Sequence, residues 1–180
     1  MKHAKFKKLV DMYKDSIYSH ALYFLGNRPD AEDVTQEVLI RAWKHVESIQ
    51  KRTAKAWLIR VTHNLCIDYA RRHKASRRVM KKEDMAVLEA TAVSKEVESN
   101  PQQLTEIADI KSKVLSALQE LPEQLRSVIM MREINEMKYE EISEALEIPL
   151  NSVKVYIHRG RNALKVALRK TLAEEIGLTL

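Results

Sequence analysis

The sequence predicts an all-α protein, built as two small helical domains joined by a flexible linker, with a helix-turn-helix in the C-terminal domain. The 180 residues include only three glycines and four prolines. Apolar residues recur at the i, i+3, i+4 spacing of amphipathic helices, and β-branched residues do not alternate as they do in half-buried strands. Because 45% of the residues are apolar and 31% are charged, we expect a packed core and not global disorder.

The first two helices are predicted from an apolar pattern that is interrupted by the segment GNRPD. Gly26 suits a helix C-cap and Pro29 suits the start of the next helix. The first apolar face contains Phe6, Leu9, Val10, Tyr13, Ile17 and Leu22. The second helix, DAEDVTQEVLIRAWKHV, has its apolar stripe at Ala31, Val34, Val38, Ala42 and Val46. Its opposite face carries Asp33, Gln36, Glu37, Arg41 and Lys44, which is typical of an ordinary amphipathic helix.

A third, strongly basic helix is predicted from AKAWLIRVTHNLCIDYARRHKASRR. Its outer side is expected to share Arg60, His63, Asn64, Arg71 and Arg72. A tryptophan beside basic and amide side chains can act as a stacking platform for unpaired bases. The alternative is a core Trp57 beneath a solvated basic helix, and composition alone favours that alternative.

The C-terminal part predicts four helical segments, the last two forming a helix-turn-helix. The short helix YEEISEAL is followed by the turn EIP and by a long basic helix. The inner stripe of that long helix is predicted at Leu150, Val153, Ile157, Gly160 and Leu164. Other positions offer groups suited to base edges: Ser152, Lys154, Val155, Tyr156, His158, Arg159 and Arg161. Lys165, Arg169 and Lys170 are expected to contact phosphates or solvent.

Charge is segregated along the chain. Residues 51–82 carry eleven Lys or Arg and one acid, and residues 149–170 carry six basic residues and no acid. The intervening residues 83–110 and 119–147 are predominantly acidic. With a net charge of +6, this pattern indicates two positive surfaces for a polyanionic partner.

Several classes of site are not expected. The single cysteine, Cys66, excludes an intramolecular disulfide and a cysteine-based zinc cluster, and its apolar setting predicts a buried structural thiol. His63 lies three residues before it, but two ligands without partners do not predict a metal site. The sequence contains no cofactor-binding motif and no nucleophile paired with a base, so we do not expect an enzyme. Without a signal peptide or membrane span, we expect a cytoplasmic protein with no membrane insertion of its own.

The helical motifs resemble a known family. DAEDVTQEVLIRAW, followed about thirteen residues later by WLIRVTHNLCIDYARRHK, resembles region 2 of bacterial sigma factors and is similar to the extracytoplasmic-function (ECF) group of the sigma-70 family. LPEQLRSVIMM and YEEISEALEIPLNSVKVYIHRGRNALK resemble region 4, although response-regulator output domains loosely share this arrangement. The resemblance implies region 2 at residues 1–74, a linker at 75–105 and region 4 at 106–180.

The resemblance implies a sigma factor that binds core RNA polymerase, directs it to promoter DNA and promotes DNA melting, under the control of an anti-sigma factor. Region 4 would read the −35 element through the residues named above. The core polymerase contacts would be Asp33, Gln36, Glu37 and Arg41. The −10 contacts would be Lys51, Arg52, Thr53, Trp57, Arg60, His63, Asn64, Arg71 and Arg72.

The sequence departs from the family pattern at two places. Ala54 and Ala56 replace an aromatic residue and a threonine that often precede the WLIR motif, and Asn151-Ser152 replaces a common Gly-Thr pair. Two other functional classes remain open at this point. One is a stand-alone helix-turn-helix regulator, which would dimerise on DNA half-sites. The other is a non-specific nucleic-acid-binding interaction protein.

Overall fold

The computed structural model describes residues 2–73 and 101–175, and within these two ranges the chain is helical without strands. The predicted all-α class is therefore confirmed. Most of the predicted linker lies outside the described residues, but α4 begins inside the segment that the sequence assigns to it. The helices are α1 (Lys2–Leu25), α2 (Arg28–His45), α3 (Ala54–His73), α4 (Pro101–Glu120), α5 (Glu123–Ile129), a π-helical turn (Met130–Ile134), α6 (Tyr139–Leu146) and α7 (Leu150–Glu175).

The corner between α1 and α2 forms as the GNRPD segment predicts. Gly26 adopts a φ of +77°, a conformation that favours glycine, and its N–H donates to the Leu22 carbonyl at 2.9 Å. The Asn27 side chain then accepts from the Asp30 N–H at 3.0 Å, which caps α2. Pro29 lies in the first turn of α2, where its missing N–H costs no helical hydrogen bond.

The first three helices pack against one another through the predicted apolar faces. On α2, the stripe from Ala31 to Val46 is buried, with Val38 fully inaccessible. Cys66 of α3 is also fully buried, and burial raises the pKa of its thiol. The prediction of a structural cysteine is confirmed, since a thiol held in its protonated form is a poor nucleophile and a poor metal ligand.

The C-terminal helices pack closely at Gly160. A Cβ atom at this position would lie 2.5 Å from Cγ1 of Ile129, which is shorter than any ordinary contact. Val153 and Ile157 on the same side of α7 are buried as predicted. The absence of a side chain at Gly160 therefore lets α7 pack closely against α5.

The two halves of the protein share one continuous core, which the sequence does not predict. Buried residues of α1–α3 and of α4–α7 belong to the same apolar cluster, including Phe24 of α1 and Leu118 of α4. The contacts between the halves run from α1 to α4 and to the π-helical turn, and from α3 to α6. This packing brings the basic helix α3 against the acidic helix α6.

Candidate nucleic-acid and polymerase interfaces

Helix α7 presents the predicted base-reading residues on the side opposite to its buried stripe. Lys154, His158 and Arg159 are exposed, and Val155 is an exposed apolar side chain at 45%. Ser152 and Tyr156 are half-buried at the edge of this face. Arg161 is exposed but already paired, because its Nε and Nη2 donate to Oε1 of Glu133 at 2.9 and 2.7 Å. The arrangement offers donors and an apolar patch on one helical surface, as base readout in a groove requires.

The turn before α7 is fixed by local hydrogen bonds. Glu147 adopts a φ of 55° between the two helices, and the Ser143 hydroxyl donates to the Ile148 carbonyl at 2.6 Å. At the start of α6, the Lys138 N–H donates to Oε2 of Glu141 at 2.7 Å. The predicted EIP turn is therefore present, and it sets the direction in which α7 leaves α6.

The basic face of α3 borders a cleft that α6 closes from the other side. Lys51, Arg52 and Thr53 are exposed in the turn before α3, and Asn64, Arg71 and Arg72 are exposed along the helix. Trp57 is half-buried, so its ring is neither a fully exposed stacking platform nor a core residue. The cleft has a volume of about 420 Å³. Its walls include Arg52, Trp57 and Arg60 from the α3 side and Lys138, Glu141 and Glu144 from the α6 side.

His63 does not lie on the outer side of α3, and that sequence-based expectation is corrected. Its side chain is 2% exposed and packs edge-on against the Phe24 ring, with centroids 5.2 Å apart. The helical periodicity of α3 cannot reveal this burial, because α1 and the C-terminal half enclose the side chain. Arg60, one turn earlier, is exposed but donates to Oε1 of Glu147 at 2.6 Å.

A buried polar network surrounds His63. The Asn135 amide nitrogen donates to the Ser16 carbonyl at 3.3 Å, so the amide oxygen faces His20 and accepts from its Nδ1–H at 2.6 Å. His20 Nε2 is then the acceptor, and His63 Nδ1 lies 3.4 Å away in the position of a donor. Both imidazoles are neutral in this arrangement. Burial lowers the pKa of His20 to about 4, and burial together with the neighbouring His20 lowers the pKa of His63 to about 3.

Further polar residues between the two halves were missed by sequence reasoning. The Gln119 amide donates to the Tyr23 and Phe24 carbonyls at 2.8 and 3.1 Å, and the Arg126 guanidinium donates to the Phe24 carbonyl at 3.2 Å. These are carbonyls of the last turn of α1, which lack helical partners. The sequence offers one sign of this polar contact between the halves: His20 is a polar residue on the apolar face formed by Ile17, Ala21 and Phe24.

The outer face of α2 carries the predicted polymerase contacts. Asp33, Gln36 and Arg41 are exposed, and the Glu37 side chain is 45% exposed. Arg41 Nε donates to Oε1 of Glu37 at 2.8 Å, one helical turn away. The Tyr69 hydroxyl of α3 donates to Oδ2 of Asp33 at 3.0 Å, which links the face to the neighbouring helix. This surface can form charged and amide contacts with another protein.

Within residues 2–73 and 101–175, the protein has neither a membrane-spanning helix nor a cluster of metal-ligating side chains. These residues contain no helix that is both long and apolar enough to span a bilayer. Nor do they contain a group of three or more histidine, cysteine or carboxylate side chains in a metal-binding arrangement.

The sequence of the chain is similar to that of a known protein family. Residues 9–76 match the profile of Sigma-70 region 2, and residues 111–164 match that of Sigma-70 region 4. The chain is 34% identical to the ECF RNA polymerase sigma factor SigW of Bacillus subtilis, covering 91% of this chain and 89% of that one. It is also 34% identical to the ECF sigma factor SigE of Mycolicibacterium smegmatis, where it covers 93% of this chain and 63% of the relative.

The fold is likewise similar to that of a solved sigma factor. RpoE of Bartonella quintana, crystallised with the anti-sigma factor NepR, aligns with a TM-score of 0.65 at 20% identity, covering 91% of this chain and 96% of that one. At 20% sequence identity, this structural similarity is evidence for the fold alone. The region 2 and region 4 matches, together with the identity to SigW over most of both chains, show the family. The chain belongs to the ECF group of sigma-70-family RNA polymerase sigma factors.

Proposed function

We propose that this ECF sigma factor reads a promoter at two points with two separate helices. The α7 face from Ser152 to Arg161 contacts the −35 element in duplex DNA, and the basic face of α3 contacts the −10 element. The observation that carries the proposal is the exposure of charged and polar side chains on α7 directly opposite Val153 and Ile157, which are buried. A helix that is buried on one side in this way can place its exposed side in the major groove of DNA.

The −10 contacts are assigned to the turn and the first half of α3. Lys51, Arg52 and Thr53 lie in the turn, and Trp57 follows on the helix as a half-buried ring beside the cleft. Aromatic rings stack with any unpaired base, while basic side chains hold the phosphates. Arg60 and Asn64 extend this face, and Arg71 and Arg72 contact phosphates further along. His63 joins this set only when the C-terminal half moves away.

The outer face of α2 is assigned to core RNA polymerase. Asp33, Gln36, Glu37 and Arg41 form a polar surface on a helix whose other side is fixed in the core. The protein supplies recognition and melting, and the polymerase supplies catalysis, so no residue here is given a catalytic role. We place this activity in the cytoplasm, where the polymerase and the promoter are accessible.

An anti-sigma factor is the proposed regulator. RpoE of Bartonella quintana has been solved with such a partner, and the structure of CnrH in complex with the cytosolic domain of CnrY aligns with this chain at a TM-score of 0.62 and 23% identity. We expect a protein of this kind to bind the polymerase-contacting surfaces of this chain. Co-purification from the native host tests the assignment, and recovery of no specific partner contradicts it.

Reconstituted transcription tests the main proposal. Core polymerase is incubated with a promoter library, with and without the protein, and the 5′ ends of the transcripts are sequenced. We expect initiation at promoters that share −10 and −35 elements only when the protein is present. Absence of such initiation, together with tight sequence-specific DNA binding by the free protein, would instead establish a stand-alone helix-turn-helix regulator.

A further inference from the structure

We propose that a small apolar pocket between α1 and the turn before α3 binds an acidic segment of a partner protein. A bulky aliphatic side chain of that segment would fill the pocket, and carboxylates beside it would contact the lysines around the rim. The pocket lies outside the α2 and α7 faces that the proposed function uses. It meets the proposed −10 surface only at Lys51.

The pocket opens over a small apolar cluster that is separate from the main core. Leu9, Ile49 and Ala54 are buried members of this cluster, and they line the pocket together with Tyr13 of α1. Met12 forms part of the wall, although 52% of this residue is exposed. An unbranched methionine can adapt to different side chains, which suits a binding surface. The free protein therefore keeps an apolar surface open to solvent at this point.

Three lysines surround the pocket. Lys5 and Lys8 come from α1, and Lys51 comes from the turn before α3. Because the wall is almost entirely apolar, the lysines contribute their aliphatic stems to it and leave their ammonium groups at the rim. Lys5 Nζ donates to the Glu47 carbonyl at 3.1 Å, and in the described part of the chain none of the three lysines pairs with a carboxylate. The rim therefore attracts anionic groups.

The size of the pocket favours one large side chain over a free small molecule. Its volume of about 250 Å³ lies below the roughly 300–1,000 Å³ of sites for drug-sized ligands. A cavity of about 150 Å³ is already large enough for a benzene ring. A leucine, isoleucine or methionine at the centre of a docking segment would therefore fill the pocket. An apolar centre with a charged rim is also the usual layout of a protein interface.

The lining also distinguishes a protein segment from single-stranded DNA. A nucleobase carries donors and acceptors on its edge, and these groups would lose their water on entering the pocket. The wall offers almost no polar surface to replace those hydrogen bonds. An aliphatic side chain has no such requirement, and carboxylates beside it can replace phosphates as partners of the three lysines. Charge and lining together thus favour an acidic protein segment.

Lys51 links the pocket to promoter reading. It belongs to the turn that is assigned above to the −10 element, and a carboxylate bound to its ammonium group excludes a phosphate from the same position. We expect an occupant of the pocket to compete with the −10 strand, so the site suits a negative regulator. This consequence rests on the proposed promoter function, whereas binding at the pocket does not.

Methionine-methyl NMR of the full chain tests the inference. Met12 places a methyl group at the pocket, and its resonance is assigned with Met12→Leu. The probe is a peptide, capped at both ends, with one leucine between two pairs of glutamates. We expect a saturable shift of the Met12 resonance and binding that weakens as salt is raised. A matched peptide with serine in place of the leucine should bind about fivefold more weakly or worse, because it buries no apolar side chain.

Lys8→Glu and Lys14→Glu form a matched pair of variants on α1. Both make the same change in charge at an exposed position, but only Lys8 lines the pocket. We expect Lys8→Glu to weaken binding of the leucine peptide by roughly three- to tenfold more than Lys14→Glu does. The resonances of the remaining methionines show whether the fold is intact in each variant. Equal effects of the two variants would place the peptide elsewhere and contradict the inference.

Other results would also overturn it. Absence of any Met12 shift would do so, as would equal binding of the leucine and serine peptides, which would make the rim a non-specific cationic patch. A stronger Met12 shift with single-stranded oligothymidylate than with the peptide would assign the pocket to DNA. A Met12 shift that depends on protein concentration without peptide would assign it to a second copy of the chain. Peptide binding by a protein that starts no transcription would instead contradict only the promoter function.

Discussion

His20 on α1 donates a 2.6 Å hydrogen bond to Asn135, which lies 115 residues later in the chain, and both side chains are buried. This bond is one of several between the region 2 and region 4 halves, and beside it two neutral imidazoles, those of His20 and His63, lie in the core. A buried neutral histidine responds to acid, because protonation demands solvation that the core does not provide. The relationship therefore makes the stability of the fold depend on pH.

The free energy of unfolding should decrease as the pH falls below about 6.5. The pKa of His20 is lowered to about 4 and that of His63 to about 3, whereas both titrate near 6.5 in the unfolded chain. Between these values only the unfolded state takes up protons, so the stabilisation is complete above pH 6.5 and is lost on acidification. We expect a loss of about 1.4 kcal/mol per histidine between about pH 7.5 and about pH 5.5, measured by urea unfolding.

The variant His63→Phe isolates the contribution of one imidazole. It keeps a ring against Phe24 and removes the titrating group. We expect the difference in stability between the two pH values to fall by about half relative to the unchanged protein. An identical difference in both proteins would show that carboxylates, and not the histidine pair, control the acid response.

Gly160→Ala should destabilise the C-terminal half. The new methyl group would lie 2.5 Å from Ile129 Cγ1 and 3.3 Å from the Leu125 carbonyl oxygen, so the helices have to separate. Overpacking of this kind costs about 1–3 kcal/mol, partly offset by the better helix propensity of alanine. Asn162→Ala, at an exposed position on the same helix, is the control. If Ile129→Ala in the same chain does not reduce the cost, the cause is not this contact.

Arg159→Ala should weaken selection at one position of the −35 element. Arg159 is exposed on the outer face of α7, and a bidentate contact of arginine with a guanine edge contributes about 1–3 kcal/mol of discrimination. Competition binding with −35 duplexes substituted at each position measures the effect. Arg169→Ala, farther along the helix, is the control for a phosphate contact. A uniform loss across all duplexes would assign Arg159 to a phosphate instead.

Asp33→Arg and Glu37→Arg should each reduce the affinity for core polymerase by roughly tenfold, or about 1.4 kcal/mol. Both carboxylates lie on the outer face of α2, so charge reversal disturbs the proposed contact and leaves the buried stripe intact. Circular dichroism checks the fold, and fluorescence anisotropy with labelled protein measures binding. Glu32→Arg on the same helix is the control. Unchanged affinity in both test variants would exclude this face as the interface.

Local sequence signals were sufficient for the helices and for much of the candidate surfaces. Gly26, Asn27 and Pro29 set the first corner through short-range effects on φ and on helix capping. The stripe containing Val153 and Ile157 was predictable because a 3.6-residue period identifies which side of α7 is buried, and the opposite side then follows. The exposed residues of α2 were predictable for the same reason.

What the sequence by itself determined is thus the number and polarity of the helices, the helix-turn-helix and the family. The tertiary structure alone decided how the halves meet: the burial of His63, the Asn135 bonds to α1 and the pairing of Arg60 with Glu147. Periodicity describes a helix relative to its own axis and does not name the element that packs against it. Contacts between residues about 90 or more positions apart depend on the relative placement of whole helices, which only the folded chain specifies.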